Sequence, residues 1–198
     1  MTIEVMSYVT SVCRSRWTLE QILQDNRGVT KKLIVMSKKY KDPALRHIFM
    51  LNNRSHIEAM NKSCELGTIL GNDWFQNNIE KIHKNLELYK GSSWNKVVDF
   101  LNLENNENTT DELLKEKIHL FNSHFEDMCR VQSAWSVYDN KLREEIISSV
   151  GNMLLPAYGI FVGRLQDILG NQAYKYIKYG MFETQDLLNH LFLGNENI

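Results

Sequence analysis

The chain has 198 residues, 43% hydrophobic and 24% charged, with a formal net charge of −1. That is an ordinary globular composition, long enough to bury about 70% of its unfolded surface without disulfide or metal staples, and it makes one domain or two small ones. Near-neutral charge excludes a protein that grips nucleic acid by bulk positive charge, and 2 prolines with 10 glycines supply too few turn residues for an all-β fold.

Met1-Thr2-Ile3-Glu4-Val5 has neither a charged n-region nor an apolar core, so no signal peptide is expected. No apolar run approaches the length of about 18 residues that spans a bilayer. Cys13, Cys64 and Cys129 are odd in number and far apart, which suits reduced thiols rather than a disulfide framework.

In chain order, Val5, Tyr8, Val9, Val12, Leu19, Ile22 and Leu23 step by three and four, predicting a helix from near Thr2 to Leu23 that Asp25-Asn26-Arg27-Gly28 stops. Residues 27–46 then carry Arg27, Lys31, Lys32, Lys38, Lys39, Lys41 and Arg46 against Asp42 alone. This stretch reads as a solvated helix face, with an anion or membrane patch as the alternative. Asp42-Pro43 is a helix start, Asp as N-cap and Pro where its missing N–H costs nothing. The helix should reach about Ser63, with Asn52 on its buried stripe and in need of partners.

Cys64 to Gly71 reads as a connection, and Asn72-Asp73-Trp74 as a second capped start for a helix to about Tyr89 that Gly91-Ser92 breaks. Trp94, Val97, Val98 and Leu101 mark a short helix from near Ser93, and residues 102–110 a polar loop. Thr109 and Glu112 form a capping box opening the clearest helix, whose stripe is Leu114, Ile118, Phe121, Phe125, Met128, Gln132 and Trp135. After a turn at Tyr138-Asp139-Asn140, an apolar stripe from Leu142 to Ile168 carries the next helix, which should kink or restart at Pro156. A last helix runs through Leu187, Leu188, Leu191 and Phe192. No strand alternates convincingly. The fold class is all-α, stacked antiparallel helical bundles forming a short rod of about seven or eight helices: 1–101 the first bundle, 102–110 a loop, 111–198 the second.

Enzyme chemistry finds little footing. His119 and His124 lie five apart on different helix faces, and there is no HExxH or CxxC, so no metal site and no cofactor are predicted. The glycines are scattered with no preceding strand to make a phosphate loop. Glu144 and Glu145 are neighbours that point apart, and no nucleophile elbow is present. No catalytic residue and no small-molecule substrate are assigned.

Tyr174-Lys175-Tyr176-Ile177-Lys178-Tyr179-Gly180 stands apart. If helical, it sets Lys175 and Lys178 on one face, able to offer two ammonium groups to phosphates, while Tyr174 and Ile177 turn inward. If extended, the lysines diverge. The plain alternative is a snorkelling surface pair.

With this segment the sequence resembles the C-terminal part of a plant-type Exo-seventy subunit of the exocyst. The matching blocks are YKDPALRHIFMLNN (40–53), LGNDWFQNN (70–78), SSWNKVVDFL (92–101), KEKIHLFNSHFEDMCRVQSAW (115–135), LREEI (142–146), LLPAYGIFVGR (154–164), KYIKYG (175–180) and LF (191–192). The resemblance implies a rod of helical bundles without enzymatic activity, serving vesicle tethering in exocytosis. It further implies other exocyst subunits as partners, a cytoplasmic protein peripheral at the inner face of the plasma membrane, and binding of phosphatidylinositol 4,5-bisphosphate. The family's lipid-contacting lysines fall on Lys175 and Lys178, and Lys31, Lys32, Lys38, Lys39 and Lys41 are an additional basic patch.

The chain resembles only the final third of such subunits, and the segment between Gly28 and Lys38 is shorter than the family's. Residues 165–198 carry two lysines against Asp167, Glu183, Asp186 and Glu196, so the basic surface is thin. Two basic residues fall well short of the about 8 kcal/mol of a micromolar complex. The expectation is weak, salt-sensitive lipid contact made useful by avidity. The alternative is a truncated paralogue acting as a helical protein-interaction module or decoy, for example in plant immunity.

Overall fold

A computed structural model describes residues 28, 30–63, 66–103 and 110–194, and the predicted helix over Thr2–Leu23 and the loop residues 104–109 lie outside these. Among the described residues the secondary structure is helical, with one isolated β-bridge between Ser136 and Leu193. The elements are α1 (30–37), α2 (Pro43–Ser63), α3 (Leu66–Ser92), α4 (Trp94–Asp99), α5 (Asp111–Ser133), α6 (Asn140–Leu169), a 3-10 helix (Gly170–Lys175) and α7 (Met181–Asn189). They divide into two compact units, one up to Tyr89 and one from Lys90.

In the first unit, α2 starts as its sequence dictates. The Asp42 carboxylate accepts from the N–H groups of Ala44 and Leu45 at 2.7 and 3.2 Å, and Pro43 occupies the first helical position, where no donor is required. The His47–Asn85 and Arg54–Asn78 side-chain pairs, 3.3 and 3.2 Å apart, couple α2 to α3 in opposite chain directions, so these helices are antiparallel. Ile48, Leu51 and Ile57 fill the core side of α2. Asn52, expected beneath the surface, is only half-buried. Its neighbour Asn53 is the buried one, 1% exposed, and donates to the Phe49 carbonyl at 2.7 Å. Ile48 and Phe49 of the predicted stripe are buried, but one turn on the inward polar position is Asn53 rather than Asn52.

Two further expectations change here. Gly28, predicted to stop a helix, is helical. The connection expected up to Gly71 is instead the first turns of α3, which begins at Leu66 and ignores the capped start at Asn72. Two glycines in a helix cost about 1 kcal/mol each, and a continuous hydrogen-bonded ladder avoids the eight orphan backbone groups that a break would create.

The second unit holds the larger core. Ser93 precedes α4, whose Trp94 is fully buried, with Val97 at 1% and Leu101 at 4% exposed. These side chains pack within the second unit: the Trp94 ring lies 6.2 Å from Phe125, and its indole N–H donates to Gln132 Oε1 at 3.2 Å. Residues 94–101 therefore group with 111–198, and the expected first bundle running to 101 is corrected to end before α4. The N-cap of α5 is Thr110, whose hydroxyl accepts from Leu113 N at 3.3 Å; Thr109, expected to open the capping box, lies outside the described residues. Leu114, Ile118, Phe121, Phe125 and Gln132 are buried along α5 as the stripe predicts.

Asp139 caps α6 by accepting from Leu142 N at 2.9 Å. This 30-residue helix neither ends nor restarts at Pro156. Pro156 and Asn152 are both exposed, so the carbonyl that loses its i→i−4 donor faces the solvent side, where the loss is cheapest. The 36 residues Asn140–Lys175 are long and apolar enough to cross a membrane by length and composition. Here Ile146, Val150, Leu154, Tyr158, Phe161 and Leu165, each fully buried, make it the core helix of this unit.

Gly170, at φ 54°, ends α6 in the left-handed region that glycine alone adopts freely. The chain reverses through the 3-10 helix, pivoting on fully buried Ala173, and enters α7. That helix stops at Asn189, short of Leu191 and Phe192, which continue into a clasp. Phe192 N donates to Gln132 O, Val137 N to Phe192 O, and Gly194 N to both Ser133 O and Trp135 O.

Candidate functional site

The segment 174–180 is neither of the two conformations weighed from sequence. Lys175 closes the 3-10 helix, and Ile177 to Gly180 are irregular. The N–H groups of both Tyr176 and Ile177 donate to the Ala173 carbonyl, a tight turn that swings the next residues back toward α5. Tyr174, predicted to point inward, is 67% exposed, because the buried position of this turn is taken by Ala173 instead. Ile177 is half-buried.

Two clamps fix the segment. Tyr158, inside α6, donates its hydroxyl to the Tyr179 carbonyl at 2.6 Å, and Asn122 Nδ2 on α5 donates to the Tyr176 carbonyl at 3.0 Å. The Tyr158 ring stacks on Phe121 at 4.9 Å, Phe121 on Phe125 at 5.5 Å, and Phe125 meets Tyr179 edge-on at 6.0 Å. Burial, with the Glu183 charge adding, pushes the Tyr158 phenol up to about 12. It is therefore a neutral donor throughout the physiological range.

The result is an open groove of about 390 Å³ between α5 and the turn, with Lys175 and Lys178 both on its lining beside His119, Asn122, Glu126 and Tyr176. The structure brings the two lysines together, as a helical pair would have done, by a different route. They differ in state. Lys175 is exposed. Lys178 Nζ sits 2.5 Å from Glu126 Oε1 and 5.6 Å from the centre of the Tyr179 ring. The bond to Glu126 holds the Lys178 ammonium above its usual range. Both partners stay partly in water, 52% and 37% exposed, so the pair is weak and exchangeable.

Sequence reasoning missed Glu126. It adjoins the buried Phe125 on α5, but nothing local ties it to a lysine 52 positions later; only the fold does. The other lysines predicted to form a basic patch lie in the first unit. Lys31 and Lys32 are on α1, Lys38 and Lys39 in the turn after it, and Lys41 just before α2, all exposed, consistent with a solvated face. Also unforeseen is a buried polar cluster on α2 and α3. Arg54, 5% exposed, bonds Asn78 Oδ1, and Asn78 Nδ2 returns a bond of 3.4 Å to the Arg54 carbonyl. Burial lowers the Arg54 pKa from its ordinary value. A second groove, about 410 Å³ and lined by Arg143, Glu144, Ser148, Gln185 and Asn189, gathers none of the predicted site residues. Among the described residues no group of three His, Cys, Asp or Glu side chains could hold a metal ion.

Comparison with known proteins agrees with this architecture. Exocyst complex component EXO70B1 of Arabidopsis thaliana is 38% identical over 214 residues, an alignment covering 96% of this chain and 34% of that protein. Human exocyst complex component 7 is 28% identical, covering 81% of this chain and 23% of its own length. The solved structure of S. cerevisiae Exo70 shares the fold with a TM-score of 0.67 at 24% identity, over 78% of this chain and 29% of that one. The chain thus spans about a third of the length of its plant relatives. Residues 27–190 match the family described as the C-terminal region of the Exo70 exocyst complex subunit, and the chain belongs to that family.

Proposed function

We propose that this chain is a non-catalytic region of an exocyst subunit that helps tether secretory vesicles to the plasma membrane, touching phosphatidylinositol 4,5-bisphosphate through Lys175 and Lys178 and other exocyst subunits through its helical surfaces. The observation that carries the reading is the joint placement of Lys175 and Lys178 on one open groove, on a turn clamped at both ends by Tyr158 and Asn122. The hydrogen bonds at Tyr176 and Tyr179 reduce the backbone freedom that this segment loses when a phosphate binds. The names of the relatives, exocyst components in plants and human, support the tethering role and the absence of enzymatic activity. The exposed lysines at 31, 32, 38, 39 and 41 are a second basic surface available to an anionic leaflet. Contact at each site is weak and salt-screened, and avidity within the assembled complex makes it useful. On this reading the protein is cytoplasmic and peripheral at the inner face of the plasma membrane.

Vesicle sedimentation tests this. The Lys175→Ala/Lys178→Ala protein should lose most of its binding to vesicles that carry the bisphosphate lipid, and the wild type should release them as salt is raised. Equal sedimentation of the two proteins removes these lysines from the mechanism. A second reading, a helical module that binds only protein partners, is favoured by one observation: Lys178 is already neutralised by Glu126. Affinity capture from plant extract separates the two. Recovery of exocyst subunits supports the first reading, and their absence with other partners present supports the second.

A further inference from the structure

The groove between α6 and α7 shares no lining residue with the lysine groove. Arg143 Nε donates to the Leu191 carbonyl at 2.8 Å, and its guanidinium also bonds the Asn189 carbonyl. A Cβ at Gly159 would stand 3.8 Å from Met181 Cε. The beginning of α6 therefore lies beside the end of α7, and its middle beside the beginning of α7, so the two helices run antiparallel. Gly151 keeps the floor open between these ends: a Cβ there would stand 3.3 Å from Gln185 Oε1. Ser148, Asn152 and Leu155 form one wall, and Gln185 and Asn189 the other, around about 410 Å³. From Glu144 to Gly159 the track measures about 22 Å, four turns of helix.

One end of this track is apolar and exposed. Phe182 is 90% and Ile160 73% exposed, and both adjoin the contact of Met181 with Gly159. Thr184 is fully buried, and Phe182, two residues earlier, lies about 200° around α7 from it, on the side turned to solvent. Single apolar side chains on a surface are ordinary, but a cluster beside a polar-rimmed groove marks a contact site. Charge narrows the occupant. Glu144 lines the groove and Asp186 follows Phe182 by one turn; neither is in an ion pair among the described residues, whereas Asp111, Glu126 and Asp127 all are. Glu183, beside Phe182, accepts from Gly180 N. The cation of the groove, Arg143, already donates to two carbonyls. Unpaired carboxylates are repelled by an anionic leaflet, and a second copy related by a two-fold axis would bring the same acidic rim against itself. A protein partner bearing Lys or Arg meets neither obstacle.

We propose that the α6–α7 groove docks an amphipathic helix of another exocyst subunit, about four turns long. Its apolar side covers Phe182 and Ile160, and its Lys or Arg side chains pair with Glu144 and Asp186. A helix suits the groove because two antiparallel helices present side-chain ridges at three- and four-residue spacing, into which the ridges of a third helix fit. This rests on the exocyst-partner part of the reading above and adds to it the surface and the chemistry of the partner; it does not depend on the lysines.

The test titrates the immobilised full chain against plant extract and quantifies the exocyst subunits recovered, each identified by mass spectrometry. Half-maximal recovery should need about thirtyfold more of the Phe182→Ala protein, the effect of losing an aromatic anchor. Asn152→Arg, which fills the groove with a long side chain, and Asp186→Lys, which reverses the rim charge, should each weaken recovery as well. All three positions are exposed, and their urea midpoints should match the wild type. Val131→Ala, at an exposed apolar residue of α5 outside the groove, should recover subunits as the wild type does. p-Benzoylphenylalanine introduced at position 182 should crosslink to a subunit segment with helical spacing of apolar residues and Lys or Arg on its flank. Recovery unaffected by Phe182→Ala or by Asn152→Arg, an equal loss from Val131→Ala, or a crosslink to a second copy of this chain or to an acidic segment overturns the proposal and leaves the exocyst-partner reading in place. A Phe182→Ala protein that sediments less with anionic vesicles yet recovers subunits as before assigns Phe182 to the membrane, and overturns it too. A wild-type chain that recovers no exocyst subunit overturns the partner reading, and the docking groove with it.

Discussion

Gln132 is a polar side chain at a position that an apolar stripe would reserve for leucine, and it is fully buried. Its amide oxygen accepts from the Trp94 indole, its Nε2 meets Met128 Sδ at 2.9 Å, and its backbone carbonyl accepts from Phe192 N. One residue therefore joins α4, α5 and the C-terminal clasp. Gln132→Leu keeps the volume but takes away the acceptor offered to Trp94. The expected cost is about 1–3 kcal/mol, read as a lower urea midpoint with an unchanged m-value. At the same scale, burial, with Glu126 adding, pushes the Cys129 thiol up to about 12. The native protein should leave this cysteine unmodified by iodoacetamide at pH 8, and peptide mass spectrometry should find it labelled only after unfolding. The Tyr158 phenol, at about 12 in the fold against 10 when unfolded, makes the pH sign definite. Between these values the unfolded chain has lost the proton and the folded chain still holds it. Stability accordingly falls as pH rises from 10 toward 12. Urea midpoints at pH 9 and pH 11 should differ less for Tyr158→Phe than for the wild type.

At the scale of elements, caps and reversals govern where helices start and stop. Asp42, Thr110 and Asp139 each accept from backbone N–H groups of the turn they open. Asp139→Ala should cost about 1 kcal/mol, seen as a drop in thermal midpoint. The clasp after α7 is less forgiving. Phe192 has φ 65°, a strained value for an aromatic residue, and is held there by burial of its ring to 2% exposure and by backbone bonds to residues 132 and 137. Two residues on, Gly194 has φ 73°, and an added Cβ would stand 2.6 Å from Ser136 Oγ. Gly194→Ala combines left-handed strain with that clash, so it should lower the melting temperature more than Asp139→Ala does. The opposite order would mean that the clasp adds little to the fold.

Across the whole molecule, the candidate groove is continuous with the core of the second unit. The stack of Phe121, Phe125 and Tyr158 ends at the carbonyl and ring of Tyr179, one residue from Lys178. Phe121→Ala should cost about 3–5 kcal/mol by denaturant titration. Under conditions where that variant remains folded, it should also weaken vesicle binding, because the ring that positions Tyr158 is gone. Unchanged vesicle binding in the folded variant would show that the turn keeps its geometry without the stack.

Periodicity and capping chemistry were enough to determine the all-α class, the start of α2 at Asp42-Pro43 and the buried stripe of α5. These features are local: a 3.6-residue repeat and a side chain that caps its own first turn depend on neighbours within a few positions. What the tertiary structure decided is of a different kind. It joined α4 to the second unit through Trp94 and Gln132, exchanged Asn52 for Asn53 on the inward face of α2, carried α6 past Pro156, and replaced a helical lysine pair with a clamped turn. Above all it set Glu126 against Lys178. Each of these depends on contacts between residues far apart in the chain, which Coulomb attraction and close packing act upon only after the backbone has brought them within a few ångströms.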